Sequence, residues 1–379
     1  MWLGSSWPYA YWKRIQTRAN KTGIHHEQAW VATKEWCGFM KINFNMWIKA
    51  LQGVPRISKD EWDRLDLVSR WLIATRAMAL VLSFISSTVA GLLALQAGHF
   101  NLWLWLLLTL GLVMAHGTNN LLNDYTDYIR GVDKGNYFRA QYGPQPLEHG
   151  LLSKRQLLIY AAVTGLIAAA AGGLLIWYRG GLAPVLMAVG AFFVLFYTFP
   201  LKYIGLGEIA LMLVWGPLMV GGGYYVLTGV WDWNVALAGL SYSFGVTAAL
   251  FGKHIDKLDM DAAKHIRTLP VLLGDSLARY TTLAIIVLQY LIVGYLIITG
   301  FFTPLMLVVL LSLPMFFQLV LPMYRHPRPA ERPDDYPAEI WPLWFVASAF
   351  AFSRRFGILF LLGLILDTVL RLVILPALS

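Results

Sequence analysis

With 379 residues, 58% of them hydrophobic and only 13% charged, and a mean hydropathy of +0.58, the chain carries more apolar surface than a water-soluble core can hide. A soluble enzyme is excluded, and the expected class is an all-α polytopic membrane protein. A net charge of +9 would suit nucleic acid in a soluble chain. In a membrane protein it marks cytoplasmic loops and contacts with anionic head groups, so membrane lipids are expected as partners and nucleic acid is not.

Residues 1–66 read as a basic, Trp-rich N-terminal extension ahead of a membrane domain at 67–379. Trp2, Trp7, Trp12, Trp30, Trp36 and Trp47 are interleaved with Lys13, Arg14, Arg18, Lys21, Lys34, Lys41 and Lys49, with no uninterrupted apolar span. The partly amphipathic run from Gln28 to Leu51 predicts a helix lying in the membrane interface. His25 and His26 point to different helix faces and read as solvated side chains rather than metal ligands. Cys37, the single cysteine, excludes an intramolecular disulfide framework and a cysteine metal cluster. No signal peptide is expected, because the first apolar span begins only near residue 70.

Segments apolar and long enough for a hydrocarbon layer of about 30 Å follow at 71–97, 101–121, 155–177, 181–200, 207–228, 234–252, 277–299, 303–323 and 356–377. A shorter aromatic piece, 339–352, reads as interfacial or re-entrant. The expected architecture is a bundle of about nine transmembrane helices. Arg130, Lys134, Arg139, Lys154 and Arg155 lie between spans two and three, and Lys253, Lys257, Lys264, Arg267 and Arg279 between spans six and seven. The turns at 98–100, 229–233 and 300–302 have no Lys or Arg. By the positive-inside rule the N-terminus and the basic loops face the cytoplasm, and the membrane is the cell (inner) membrane.

Carboxylates beside a membrane span are costly unless they have a function. At the inner end of span two, Asn123, Asp124 and Asp127 fall within about one helical turn, with Asn123 and Asp127 on one face, and Asp133 follows a glycine that lets it fold back. Such a cup of hard oxygen ligands suits Mg²⁺. A second cluster, Asp256, Asp259 and Asp261, ends span six. Four spans separate the clusters, so both lie on the same side and can share one pocket. A cation-coupled transporter is the alternative from another class; its acids normally sit near the midplane, whereas these sit at helix ends.

Four stretches carry a resemblance: NDYTDYIRGVD at 123–133, YTFPLKYIGLGE at 197–208, GPLMVGGGYYV at 216–226 and TLPVLLGD at 268–275. Together they resemble the UbiA-type intramembrane prenyltransferases, and most closely the 1,4-dihydroxy-2-naphthoate polyprenyltransferase branch, over roughly 70–377. The resemblance implies helices around a central cavity with a cytoplasmic cap. It implies Mg²⁺-dependent transfer of a polyprenyl group from a polyprenyl diphosphate to a small aromatic, quinone-precursor-like acceptor; a sugar phosphate or lipid head group stays open as acceptor. Metal would sit on Asn123, Asp124, Asp127 and Asp133, and across the pocket on Asp256, Asp259 and Asp261. Asn123, Asp127, Asp256 and Asp261 are the implied catalytic set.

Arg76, Asn120, Arg130, Lys134, Tyr197, Lys202 and Lys257 are the candidate substrate contacts, the cations for diphosphate oxygens. Tyr197, with Tyr224 and Tyr225, is also a candidate to stabilise an allylic cation. Two departures from the family stand out. Aligning Thr268-Leu269 puts Asp261 on the last Asp of the second motif, DxxxD, but Lys257 on the first, with Asp256 one position away. Arg76 matches an Arg-Pro pair, but Ala77 replaces the proline.

Overall fold

The computed structural model describes residues 42–53, 55–132, 144–338 and 340–378. Asp133, Lys134, Cys37, His25 and His26 lie outside the described residues, as does most of the expected interfacial helix. Its end is present as α1 (Phe44–Gln52), capped by the Asn43 side chain, which accepts from the Met46 amide. Phe44, Ile48 and Leu51 are exposed while Ala50 is buried, the pattern of a helix lying on an apolar surface. Two short helices follow, α2 (Lys59–Asp63), closed by a Ser58/Glu61 capping box, and α3 (Leu67–Ala74), capped by Asp66. Trp62, Leu65 and Ala50 pack with Leu121, Leu147 and Leu157 in one apolar cluster, so residues 44–65 are built into the end of the bundle.

Among the described residues, nine apolar helices lie in the nine expected segments. Eight are long and apolar enough to cross a membrane: α4 (Ala77–Gln96), α5 (Leu102–Ile129), α6 (Lys154–Arg179), α8 (Gly207–Thr228), α9 (Trp233–Asp256), α12 (Asp275–Ile298), α13 (Pro304–Arg325) and α14 (Phe345–Ala377). The shorter α7 (Ala183–Phe196) lies between α6 and α8. Two short helices, α10 (Leu258–Ala263) and α11 (Leu269–Leu273), bridge α9 to α12.

The expected first span, 71–97, is two helices. The chain breaks at Thr75–Arg76, where Arg76 adopts a left-handed conformation (φ 57°) and Ala77 becomes the first residue of α4. First helical position is where proline fits best, which accounts for the family's Arg-Pro pair at this point. The last helix starts at Phe345, eleven residues earlier than the apolar run suggested, because Arg354 and Arg355 interrupt the hydropathy but not the helix.

Helix α9 is the central post. Some 83% of its most apolar stretch is buried, against 22% for α6. Small residues permit this: a Cβ on Gly252 would sit 2.8 Å from backbone atoms of Phe345 and Val346, and one on Gly216 would sit 2.9 Å from Leu240 Cα. Around it α4, α5, α8, α12, α13 and α14 contribute to one large core cluster. In α8 the residues Val214–Gly221 are wound as a π-helix around Pro217. That proline donates no N–H; in the same stretch the Trp215 carbonyl accepts from Ser86 Oγ on α4 (3.3 Å).

Candidate functional site

The acidic end of α5 is held by cations from two elements. The Arg76 guanidinium, presented by the break before α4, pairs with Asp124. Lys202, in a 3₁₀ turn (Leu201–Tyr203) between α7 and α8, donates to both Asp127 oxygens at 3.0 Å. Burial opposes the Lys202 ammonium, but the Asp127 carboxylate outweighs it and raises its pKa above the ordinary lysine value. Asn120 Nδ2 donates to the Thr75 carbonyl (2.8 Å), which fixes the break that presents Arg76.

The second rim faces the first. Lys257 and Asp261 pair at 3.1 Å across one turn. Asp127 lies in the field of Lys257 and of Lys253 as well as Lys202, and Lys202 lies in the field of Asp261. Lys264, just past α10, donates to the Val132 carbonyl beyond α5 (2.5 Å). The two acidic helix ends therefore meet at one end of the bundle, with cations interleaved between them. Two buried acceptors, Asn123 Oδ1 and Asp261 Oδ2, have no hydrogen-bond partner among the described residues.

Beneath these rims opens a cavity of about 450 Å³. Its polar mouth is formed by Arg76, Asn120, Asn123, Tyr197 and Lys253, and its deeper wall by apolar residues of α5 to α8 such as Leu112, Leu186, Met187 and Val226. At middle depth sits His116, buried, with Nδ1 2.9 Å from Ser83 Oγ and its ring edge-on to Trp215 at 5.0 Å. The arrangement is amphiphilic: charge at the mouth, hydrocarbon-like walls behind.

Not every expected residue joins this site. Both Asp256 oxygens accept amide N–H groups at the start of α14, from Phe345 and Val346, each at 3.0 Å, and Arg328 lies 3.6 Å away. Asp256 thus faces away from the first cluster, and Lys257 occupies the position beside it. Asp259 is exposed and borders a separate hollow with Asp275 and Arg328. Arg130 stacks on Phe199, its guanidinium 3.6 Å from the ring centroid, rather than lining the cavity. Tyr224 is not among the cavity residues, and the Tyr225 hydroxyl accepts from the Leu182 amide (2.9 Å) at the start of α7.

Three features were not read from the sequence. His116 lies on the α5 face of Asn120, Asn123 and Asp127, at offsets of 4, 7 and 11 residues, and that helical spacing was the available signal. Lys253 is a cation one turn before Lys257. Glu208 and His254 are buried together, Oε1 2.5 Å from Nδ1, while Glu208 Oε2 accepts the Leu269 amide (3.2 Å). This pair locks α8 and α9 to the Thr268-Leu269 segment, and no local pattern announces it.

Helices long and apolar enough to cross a bilayer, around a cavity with apolar walls and a charged mouth, define a multi-pass membrane protein. Residues 84–343 match the model of the UbiA prenyltransferase family, and the chain belongs to that family; it is a prenyltransferase. It is 32% identical over 223 residues to 1,4-dihydroxy-2-naphthoate octaprenyltransferase of Mycobacterium tuberculosis, covering 56% of this chain and 72% of that one. It is 25% identical over 280 residues to UbiA prenyltransferase domain-containing protein 1 of Danio rerio, covering 70% and 79% respectively. The fold is similar to the apo structure of a UbiA homolog from Aeropyrum pernix K1, with a TM-score of 0.55 at 19% identity over 75% of this chain and 97% of that one.

Proposed function

We propose that the chain transfers a polyprenyl group from a polyprenyl diphosphate to a small aromatic acceptor, with Mg²⁺ bound between the two rims. The observation that carries this reading is the juxtaposition of paired anions and cations at the mouth with an apolar cavity directly below. Support for an aromatic acceptor comes from the mycobacterial relative, whose name specifies a dihydroxynaphthoate, and from the His116 and Trp215 rings at middle depth.

The residues fit the metal. Among the described residues no three His, Cys, Asp or Glu side chains form a cage, but Mg²⁺ needs only one or two protein carboxylates and takes its other ligands from phosphate and water. The unpartnered oxygens of Asn123 and Asp261, with Asp124 and Asp127, form an all-oxygen donor set suited to a hard cation that arrives with its diphosphate. Asp133 is a further candidate from the same motif. Bound there, Mg²⁺ would neutralise charge growing on the leaving diphosphate.

The chain's own groups do the rest. Arg76, Lys202, Lys253 and Lys257 hold the phosphate oxygens and keep the acidic rims from repelling them. Lys257, standing where the family has an aspartate, contacts diphosphate as a point charge and leaves Asp261 as the metal-binding carboxylate of that rim. The cavity walls hold the prenyl chain and exclude water from the allylic carbon, and Tyr197, which lines the same cavity, is the aromatic group available to stabilise its positive charge. An acceptor ring carbon then bonds to that carbon as its C–O bond breaks and diphosphate departs with the electron pair, and the ring carbon regains aromaticity by giving up its proton to the diphosphate or to water. The Lys and Arg of the flanking loops support a cytoplasmic orientation for this end of the bundle.

Purified protein incubated with Mg²⁺, several polyprenyl diphosphates and a panel of acceptors, read by product mass, tests the proposal. It requires an aromatic acceptor gaining one prenyl group. Prenylation of a sugar phosphate or a lipid head group alone would move the acceptor assignment, and no product from any pair would end it.

A further inference from the structure

The exposed surface of α14 carries two cations, Arg354 and Arg355, that the transfer reaction does not use. Arg354 and Arg355 are both exposed and make no hydrogen bond or ion pair among the described residues. Their depth follows from the contacts at each end of α14. At the site end, Asp256 holds the Phe345 and Val346 amides. At the far end, Asp367 accepts from the Thr303 amide (2.9 Å) and from Gln96 (3.0 Å), where α13 starts and α4 stops.

From Phe345 to Asp367 the helix rises about 33 Å at 1.5 Å per residue, which matches the thickness of a hydrocarbon layer. The Arg354 and Arg355 backbones lie about 14–15 Å below the site end on that scale, close to mid-depth. Their neighbours agree: a Cβ on Gly245, in the middle of α9, would meet Ser353 Oγ at 3.0 Å, and Phe356 packs edge-on against Tyr290 in the second half of α12. Phe350 and Ile358, one turn to either side of Arg354, are exposed apolar side chains. Two guanidinium groups therefore emerge from a surface that otherwise faces acyl chains, where an isolated charge is expensive.

Helix geometry says where they go. Every Cα–Cβ bond tilts toward the helix N-terminus, which for α14 is the site end, so both side chains snorkel that way. Fully extended they recover about half of the depth, and the remainder requires an anion drawn inward. A second copy of the chain offers none at this level. The carboxylates of the described spans are buried, apart from Asp275, which is partly exposed at the site-end start of α12.

We propose that Arg354 and Arg355 form a binding site for the phosphate of an anionic phospholipid, pulled below its neighbours against α14. The diester phosphate takes the two guanidinium forks, and its acyl chains lie along the Phe350 to Ile358 stripe and onward toward Leu362.

The test is retention of phosphatidylglycerol by the full chain, released from vesicles of mixed phosphatidylglycerol and phosphatidylcholine and weighed by native mass spectrometry. The expected result is one tightly held phosphatidylglycerol on the wild type, reduced about tenfold or more by the double variant R354Q/R355Q, with R354K/R355K in between. Equal retention by wild type and Gln variant overturns the proposal. So does loss of self-association in the Gln variant with lipid retention unchanged, which would assign the pair to a protein contact. Should the Gln variant fail to fold, photoactivatable phosphatidylglycerol on the wild type decides: labelling must concentrate on residues 350–358 and be displaced by phosphatidylglycerol but not phosphatidylcholine. Even labelling of all lipid-facing helices overturns the site.

Discussion

Replacing Asp256 by alanine separates a structural carboxylate from a metal-binding one. In the folded chain its two oxygens satisfy the Phe345 and Val346 amides at 3.0 Å each, in a position that is 3% exposed. Removing a helix-capping acceptor costs about 1 kcal/mol, and each buried donor left without a partner costs a further ~1–3 kcal/mol. Water entering the vacated volume relieves part of this, so the expected loss is about 3–5 kcal/mol, with Arg328 left near an apolar gap. Asp256→Asn retains one acceptor oxygen and should lose about half as much. Thermal unfolding in detergent reads the stability, and Mg²⁺ titration of transfer activity, normalised to folded protein, reads the metal. Both variants should melt earlier yet reach half-maximal activity at the wild-type Mg²⁺ concentration. An Asp256→Ala protein that melts normally but needs far more Mg²⁺ would falsify the capping role and return Asp256 to the metal site.

Further outcomes follow from the same geometry. Asp127→Asn preserves a polar partner for Lys202 but removes a metal-binding charge; transfer should fall about a hundredfold or more with little change in melting, and activity within threefold of wild type would contradict the assignment. Lys257→Asp installs the family's missing carboxylate, so half-maximal activity should shift to lower Mg²⁺; an unchanged or higher requirement would show that Lys257 does not stand at a metal-facing position. Arg130→Ala removes stacking on Phe199 worth about 0.5–1 kcal/mol and should leave turnover within a few-fold, whereas a collapse of diphosphate affinity would place Arg130 on the substrate. Asp66 is also testable by pH. Burial pushes its carboxyl up, but hydrogen bonds from Ser69, then Trp47 and Asn43, prevail and hold it down at about 2. Its folded pKa is below the ordinary value of 3.8, so its stabilisation is complete above that value and lost as pH falls toward 2. Melting curves from pH 5 to pH 2.5 should show an acid-labile component that Asp66→Asn lacks.

Hydropathy carried most of the architecture because burial in a bilayer demands long unbroken apolar runs, and the nine helices fall where those runs are. It misjudged two boundaries for physical reasons. The break at Arg76 is fixed by tertiary partners, the Asn120 amide and Asp124, which no local window contains. The early start of α14 was hidden by Arg354 and Arg355, whose charges depress hydropathy without disturbing helical backbone. For the site, α5 was legible because Asn120, Asn123 and Asp127 recur at helical spacing, and extending that spacing back one turn reaches His116. The second rim was only half legible. Asp256, Asp259 and Asp261 cluster in sequence, but the turn between α9 and α10 sends them to a helix cap, to the exposed surface and to the buried rim beside Lys257 and Lys202 respectively. Sequence proximity ranks such residues alike; only the path of the chain separates them.

Binding of a non-hydrolysable polyprenyl thiodiphosphate, measured with and without Mg²⁺ on wild type, Asp127→Asn and Asp261→Asn, tests the shared grip of the two rims most directly. The account requires tight binding only with Mg²⁺ and a loss of about tenfold or more in each variant, since the rims act on one ligand. Equal affinity without the metal, or an Asp261→Asn protein that binds as wild type does, would contradict it.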